Sequence, residues 1–276
     1  MVSKTRKLMA AWFFSGFLVF AAVTGAQAYS GILAFGDSLS DNGYYEGYPG
    51  GTAGNTNPAD FYGFRSFSAG PVWVDYLASD LGVSAMLNMA YGGATSGWDN
   101  PAAYAATADS KYLTQTGLQW QVAAYGSVFG SVADETLITM SAGGNDNFNS
   151  RPADTAAQNV ALAISTLYAL GGRDFLVLNL PATNDWQTNF SLLLYAQLSI
   201  LNSLFDDINL YILDWNQVDL TGLALDNIMM PDGIHPTTDH QRRIANIAWT
   251  AVPEPASILL MLLGFAGLAG LRRKMK

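Results

Sequence analysis

Four short polar islands carry the residue types that could do chemistry in this chain. They are Phe35-Gly36-Asp37-Ser38-Leu39-Ser40-Asp41, Asn88-Met89-Ala90-Tyr91-Gly92-Gly93-Ala94-Thr95, Gly143-Gly144-Asn145-Asp146 and Asp232-Gly233-Ile234-His235-Pro236. Together they supply a serine hydroxyl, glycine amides, an asparagine amide and an Asp/His pair. An acyl-transfer site needs those parts: a nucleophile, a general base, a group that orients the base, and donors for an oxyanion. The chain has only two histidines. Asp232, three residues before His235, can fold back and accept the Nδ1 proton, which leaves Nε2 to act as the base. Gly233 permits the tight turn this needs, and Pro236 stiffens its exit. Ser38 follows an apolar run and opens a turn, a place that also suits a helix-capping serine. His240 falls in the first turn of a helix, where it is expected at the surface or behind the site. Two histidines and no cysteine fall short of a zinc site, which takes three or four ligands, so neither metal nor cofactor is expected.

The islands must be held by elements around them. Strands are expected at 31–35, 85–89, 136–141, 174–180 and 208–214. The third to fifth have few charges and little alternation, as strands covered on both faces do. Helices are expected at 71–81, 116–129, 154–170, 186–205 and 238–251. Pro71 suits a first helical turn and Gly82 a stop, while Asp154 and Thr238 suit N-caps. The alternation implies an α/β fold, a parallel sheet with helices on both faces. Three islands then follow the carboxyl ends of strands, where such sheets place ligands. Two stretches, 43–69 and 95–114, read as loops starting directly after islands and are expected to wall the site.

Both ends read as processing signals. Residues 1–28 combine Lys4, Arg6 and Lys7, an apolar run and Ala26-Gln27-Ala28, the pattern of a secretory signal peptide; an uncleaved anchor is the alternative. At the other end, Pro253-Glu254-Pro255 precedes an apolar run of sixteen residues, 256–271, and a basic cluster from Arg272 to Lys276. Sixteen is short for a span of about 20 residues, and the basic cluster would stay on the cytoplasmic side. Between the ends, 29–251 is one domain in size. That body holds 21 acidic residues against six basic ones, a net charge near −15, which argues against nucleic acid and anionic lipid as partners. The absence of cysteine excludes disulfides, so the body must rely on its apolar core.

The order and wording of the islands resemble the GDSL, or SGNH, family of serine ester hydrolases, in its lipase and hemolysin-like branch. The Gly70-Pro71-Val72-Trp73-Val74-Asp75-Tyr76-Leu77 stretch and the Gly-Gly-Ala-Thr of the second island add to the likeness. The resemblance implies a three-layer flavodoxin-like fold, with a five-stranded parallel sheet in the order 2-1-3-4-5. It implies Ser38 as nucleophile with Asp232 and His235 completing the triad. It implies an oxyanion hole made by the Ser38 N–H, the Gly93 N–H and the Asn145 side chain. Gly93 is chosen over Gly92 because it directly precedes the Ala-Thr pair, and Gly92 is left as a turn residue needing positive φ. Asp37 and Asp146 are expected to hold the neighbouring loops. The tail resembles the PEP-CTERM sorting signal of Gram-negative bacteria, which implies export, an exosortase-type processing enzyme as partner, and 252–276 as a sorting and transient anchoring segment.

The expected activity is hydrolysis of carboxylic esters by an exported esterase or lipase. An O-acetylesterase acting on extracellular polysaccharide is the second reading, and a non-catalytic surface binding module is the third.

Overall fold

Uninterrupted aliphatic runs build the centre of the molecule, and the polar islands terminate them. The computed structural model describes residues 29–43, 66–101 and 115–252. The expected leader at 1–28 and the expected tail from 253 onward lie outside them, as do most of the two expected wall loops. Strands are β1 (Gly31–Gly36), β2 (Ala85–Asn88), β3 (Thr136–Ser141), β4 (Asp174–Leu178) and β5 (Asn209–Leu213). Helices are α1 (Trp73–Asp80), α2 (Leu118–Phe129), α3 (Gly144–Phe148), α4 (Ala153–Ala169), α5 (Asp185–Leu204) and α6 (Thr238–Ala251). The sheet has the order β2-β1-β3-β4-β5 with every pair parallel, the order the sequence led us to expect.

The register explains where a site can form. Gly36 pairs with Ser141, Ser141 with Leu178 and Leu178 with Leu213. The carboxyl ends of β1, β3, β4 and β5 therefore lie in one row. The shorter β2 ends two rows earlier, at Ala34↔Asn88. Helices α2, α4 and α5 pack side by side, and α1 packs on α6, so the sheet is covered on both faces. Phe35, Ile138, Met140 and Phe175 on the central strands are wholly buried. Burying a side chain of that size stabilises by about 1.5–3 kcal/mol. Among the described residues no helix is long and apolar enough to cross a membrane.

Local chemistry shifts several boundaries from those expected. Helix α1 starts after Pro71, because Asp75 Oδ2 accepts the Val72 N–H at 3.0 Å and makes Val72 the N-cap. Its end is at Gly82 as expected: φ is +68° there, and Val83 N donates to Ala78 O at 2.9 Å. Pro152, not Asp154, caps α4, and Thr237, not Thr238, caps α6 by accepting the His240 N–H. Helix α3 was not expected from the sequence. It begins at Gly143, whose φ of +114° turns the chain out of β3.

Candidate functional site

The turn carrying Ser38 is fixed by the end of β1. Gly36 has φ +143°, and a Cβ there would meet Ser141 O at 2.1 Å, so only glycine fits. Asp37 N then donates to Ser141 O at 3.2 Å, and Ser40 N and Asp41 N both donate to Asp37 O at 3.0 Å. Trp73 Nε1 donates to Ser40 Oγ at 3.1 Å, which ties the turn to α1. Ser38 sits in this turn, nearly buried. The Asp37 carboxyl turns inward and accepts the Leu39 N–H at 3.1 Å. Burial pushes its pKa up to about 7, with the Asp146 charge adding and the Leu39 hydrogen bond opposing.

Asp232 and His235 reach Ser38 from the loop before α6. His235 Nε2 lies 2.7 Å from Ser38 Oγ, and Nδ1 lies 2.6 Å from Asp232 Oδ2. A carboxylate can only accept, so Nδ1 carries the proton and Nε2 accepts from the serine hydroxyl. The other carboxylate oxygen takes the Ile234 and His235 backbone N–H groups at 2.8 and 3.0 Å. Gly233 turns the loop at φ +66°, and Met230 N donates to His235 O at 2.8 Å. One carboxylate therefore orients the imidazole and folds the loop that bears it. The Phe67 ring lies 5.2 Å from the imidazole, tilted by 32°.

The second and third islands flank Ser38. Asp41 accepts the Gly92 N–H at 2.8 Å. The Ser38 and Gly93 N–H groups have no acceptor among the described residues. The positive φ belongs to Gly93, at +82°, and not to Gly92. Gly92 is small for another reason, since a Cβ there would meet the Phe67 ring at 2.2 Å. Asn145 Nδ2 donates to Ala94 O at 2.9 Å, and its second hydrogen has no acceptor among the described residues. Asp146 accepts from Ser96 N at 2.8 Å and Ser96 Oγ at 2.9 Å, fastening the loop after Gly93 to α3. Its pKa is raised by burial, against those hydrogen bonds.

His240 is not at the surface. It is 2 % exposed, its Nδ1 donates to Ile228 O at 2.9 Å, and its ring meets Trp215 edge-on. Burial lowers its pKa. Its role is to hold the segment leading into the Asp232–His235 turn. Among the described residues no three His, Asp or Glu side chains are grouped as a metal site would require.

The sequence reading passed over Phe67, Ser96 and Gln121. Phe67 and Ser96 leave no mark in the sequence. Gln121 does leave one, a polar residue at helical spacing with Leu118, Val122 and Tyr125, on the buried face of α2.

Residues 32–248 match the family described as GDSL-like lipase/acylhydrolase, and residues 251–274 match the PEP-CTERM protein-sorting motif. No curated protein matches the chain. Among solved structures, a lipolytic G-D-S-L family protein from Veillonella parvula is 16 % identical, with a TM-score of 0.50 over 80 % of this chain and 96 % of that one. The psychrotrophic esterase EstA from Pseudoalteromonas, inhibited there by monoethylphosphonate, is 15 % identical with the same score and coverage. Such distant likenesses speak for the fold alone. The family match spans most of the sequence, so the chain belongs to the GDSL-like lipase/acylhydrolase family and is a carboxylic ester hydrolase.

Proposed function

We propose that Ser38, His235 and Asp232 form the catalytic triad of an exported esterase working through an acyl-enzyme. The observation that carries this reading is the unbroken Ser38–His235–Asp232 hydrogen-bond line, at 2.7 and 2.6 Å. Ser38 Oγ attacks the ester carbonyl carbon while Nε2 takes its proton. The carbonyl oxygen gains negative charge and is met by the Ser38 and Gly93 N–H groups and the Asn145 amide. Their availability supports this role, since each has a hydrogen not spent on the described residues. The intermediate collapses, the C–O bond to the alcohol breaks, and His235 gives the departing alkoxide its proton. Water then attacks the acyl-enzyme with His235 again as base, and the acid leaves. Asp232 keeps the imidazole in the required tautomer and balances its charge. Asp37 and Asp146 act behind this set, holding the Ser38 turn and the Asn145 helix.

The substrate is a carboxylic ester. In this reading 1–28 is removed on export, 29–251 is the hydrolase domain, and 252–276 is recognised by an exosortase-type membrane protease. The enzyme body then works outside the cytoplasm. The sorting-motif match at 251–274 supports that part.

The test is p-nitrophenyl ester hydrolysis across acyl lengths from acetate to palmitate, with Ser38→Ala alongside. We expect serine-dependent turnover, with loss of at least about 10³-fold in Ser38→Ala. Near wild-type turnover by Ser38→Ala would sink the triad assignment. Activity on acetate and acetylated polysaccharide alone would redirect the substrate to O-acetyl groups.

A further inference from the structure

The nucleophile turn and the oxyanion loop leave different strands, and past the β1–β2 ladder a single backbone bond joins them, from Tyr91 N to Gly36 O at 3.0 Å. The last β1–β2 pair is Ala34↔Asn88, so Gly36 extends past the end of its neighbour. A side chain adds a second link. Gln121 of α2 accepts the Gly36 N–H through Oε1 at 2.9 Å and donates from Nε2 to Gly36 O at 2.8 Å. Its primary amide thus holds both the N–H and the C=O of Gly36, and that carbonyl accepts from Gln121 and Tyr91 together. The remaining Nε2 hydrogen goes to Thr116 O at 2.9 Å. Thr116 Oγ1 in turn accepts from Asn100 Nδ2 at 2.8 Å, and the other hydrogen of that amide goes to Gly92 O at 2.8 Å.

The path Gly36–Gln121–Thr116–Asn100–Gly92 thus runs from two residues before Ser38 to the residue before Gly93. Its three side chains are 0–3 % exposed. Buried amides are costly unless their hydrogen bonds are made. Every hydrogen of the two amides is used, yet Asn100 Oδ1 is buried without a partner among the described residues. An apolar residue at Asn100 would avoid that cost, so its presence there calls for a reason beyond packing.

We propose that Gln121, Thr116 and Asn100 form a buried brace that sets the Gly93 N–H against Ser38 Oγ, and that they are positioning residues for ester hydrolysis. The inference rests on the reading of Ser38 as nucleophile and Gly93 as oxyanion donor. Misplacing reacting groups by an ångström can cost about 10²-fold in rate. The cost should fall on kcat, because the oxyanion exists only after attack begins.

The test measures kcat, KM and melting temperature on a short p-nitrophenyl ester for Gln121→Met, Gln121→Glu, Asn100→Ala and the Gln121→Met/Asn100→Ala pair. Met keeps the volume and removes all three bonds. Glu keeps the acceptor for Gly36 N and loses both donors, which gives a second variant should Met not fold. Val122→Ala, the buried neighbour on the same helix, serves as the purely structural control. We expect kcat to fall about 10-fold or more in each single variant with KM within about twofold, and the pair to be little worse than the poorer single. Val122→Ala should lose melting temperature while keeping kcat well below its transition. Wild-type kcat in the single variants, losses that track melting temperature as the control's do, or losses that multiply in the pair would each overturn the brace. Ser38→Ala is run alongside. If it stays active, the nucleophile reading fails; if it is dead while Gln121→Met and Gln121→Glu match wild type, only the brace fails.

Discussion

Asp37→Asn isolates a carboxyl that the fold holds close to its switching point. Asp37 is 2 % exposed, and burial lifts its pKa from an ordinary 3.8 to about 7. Between those values the folded chain keeps a proton that the unfolded chain has released. Stability therefore falls as pH rises, and the loss is complete above the folded pKa. A shift of this size is worth about 4 kcal/mol in all, of which about 2.5 kcal/mol falls between about pH 5 and about pH 8. The asparagine variant has no such titration, and its carbonyl can still accept the Leu39 N–H. Comparing the two proteins at each pH cancels the other groups. The assay is urea denaturation of wild type and Asp37→Asn across that range, read as the difference in unfolding free energy. The variant should gain on wild type steadily up to about pH 7 and then hold its lead. A difference that stays flat with pH would show that Asp37 ionises as an ordinary carboxyl, and the argument from burial would be refuted.

On the proposed mechanism Asn145→Ala should lower kcat by about 10²–10³-fold with little change in KM, because it would remove one oxyanion donor; steady-state kinetics on a short ester checks this. His240 is depressed by burial, so its proton binds more tightly in the unfolded chain. Its contribution is present above the ordinary histidine pKa of about 6.5 and is lost as pH falls below that value. His240→Gln, which can still reach the Ile228 carbonyl with a donor, should therefore show a shallower acid limb in a melting-temperature profile against pH.

The sequence disclosed most where one residue does one job. Ser38, Asn145 and His235, the groups we propose to react, sit in islands whose chain neighbours fix their positions. The strands were readable for a related reason: runs such as Leu137, Ile138 and Met140, wholly buried in the sheet, are apolar without alternation. Boundaries were harder, because a single hydrogen bond sets them. The β4 run looks extendable to Leu180, but the Asn179 N–H makes the last bond to β5, to Leu213 O at 3.1 Å, and its side chain takes the Trp215 N–H at 2.7 Å. Helix α3 is five residues long, a glycine followed by three polar residues and a phenylalanine, with no apolar period, so nothing local announces it. His240 was left between the surface and a place behind the site, and the phase of α6 decides for the second. With Gln121 it shows the same lesson, that polar residues on a core-facing stripe are legible once the stripe is drawn: His240, Gln241, Ile244, Ala245 and Ala248 form the buried face of α6.

The site joins two halves with different supports, and this decides how it can fail. The Ser38 and Asn145 half is anchored in the sheet: Gly36 pairs with Ser141, Asp37 N donates to Ser141 O, and α3 begins directly beyond β3. Shifting Ser38 against Asn145 would require breaking the central β1–β3 ladder, where Phe35 and Met140 are wholly buried. The Asp232–His235 half has no strand beneath it. It hangs on the bridge between Met229 and Pro236, the Thr237 cap and the His240 bond to Ile228 O. Ile234, between the two acid–base residues, is 46 % exposed. Local opening draws on the elements with the fewest buried contacts, so the His235 loop can loosen while the sheet, Ser38 and Asn145 stay in place. Asp232 limits that freedom by spending one oxygen on the loop's own backbone. The carboxylate that orients the imidazole thus also closes the loop, and His235 Nε2 is in register with Ser38 only when the loop is folded.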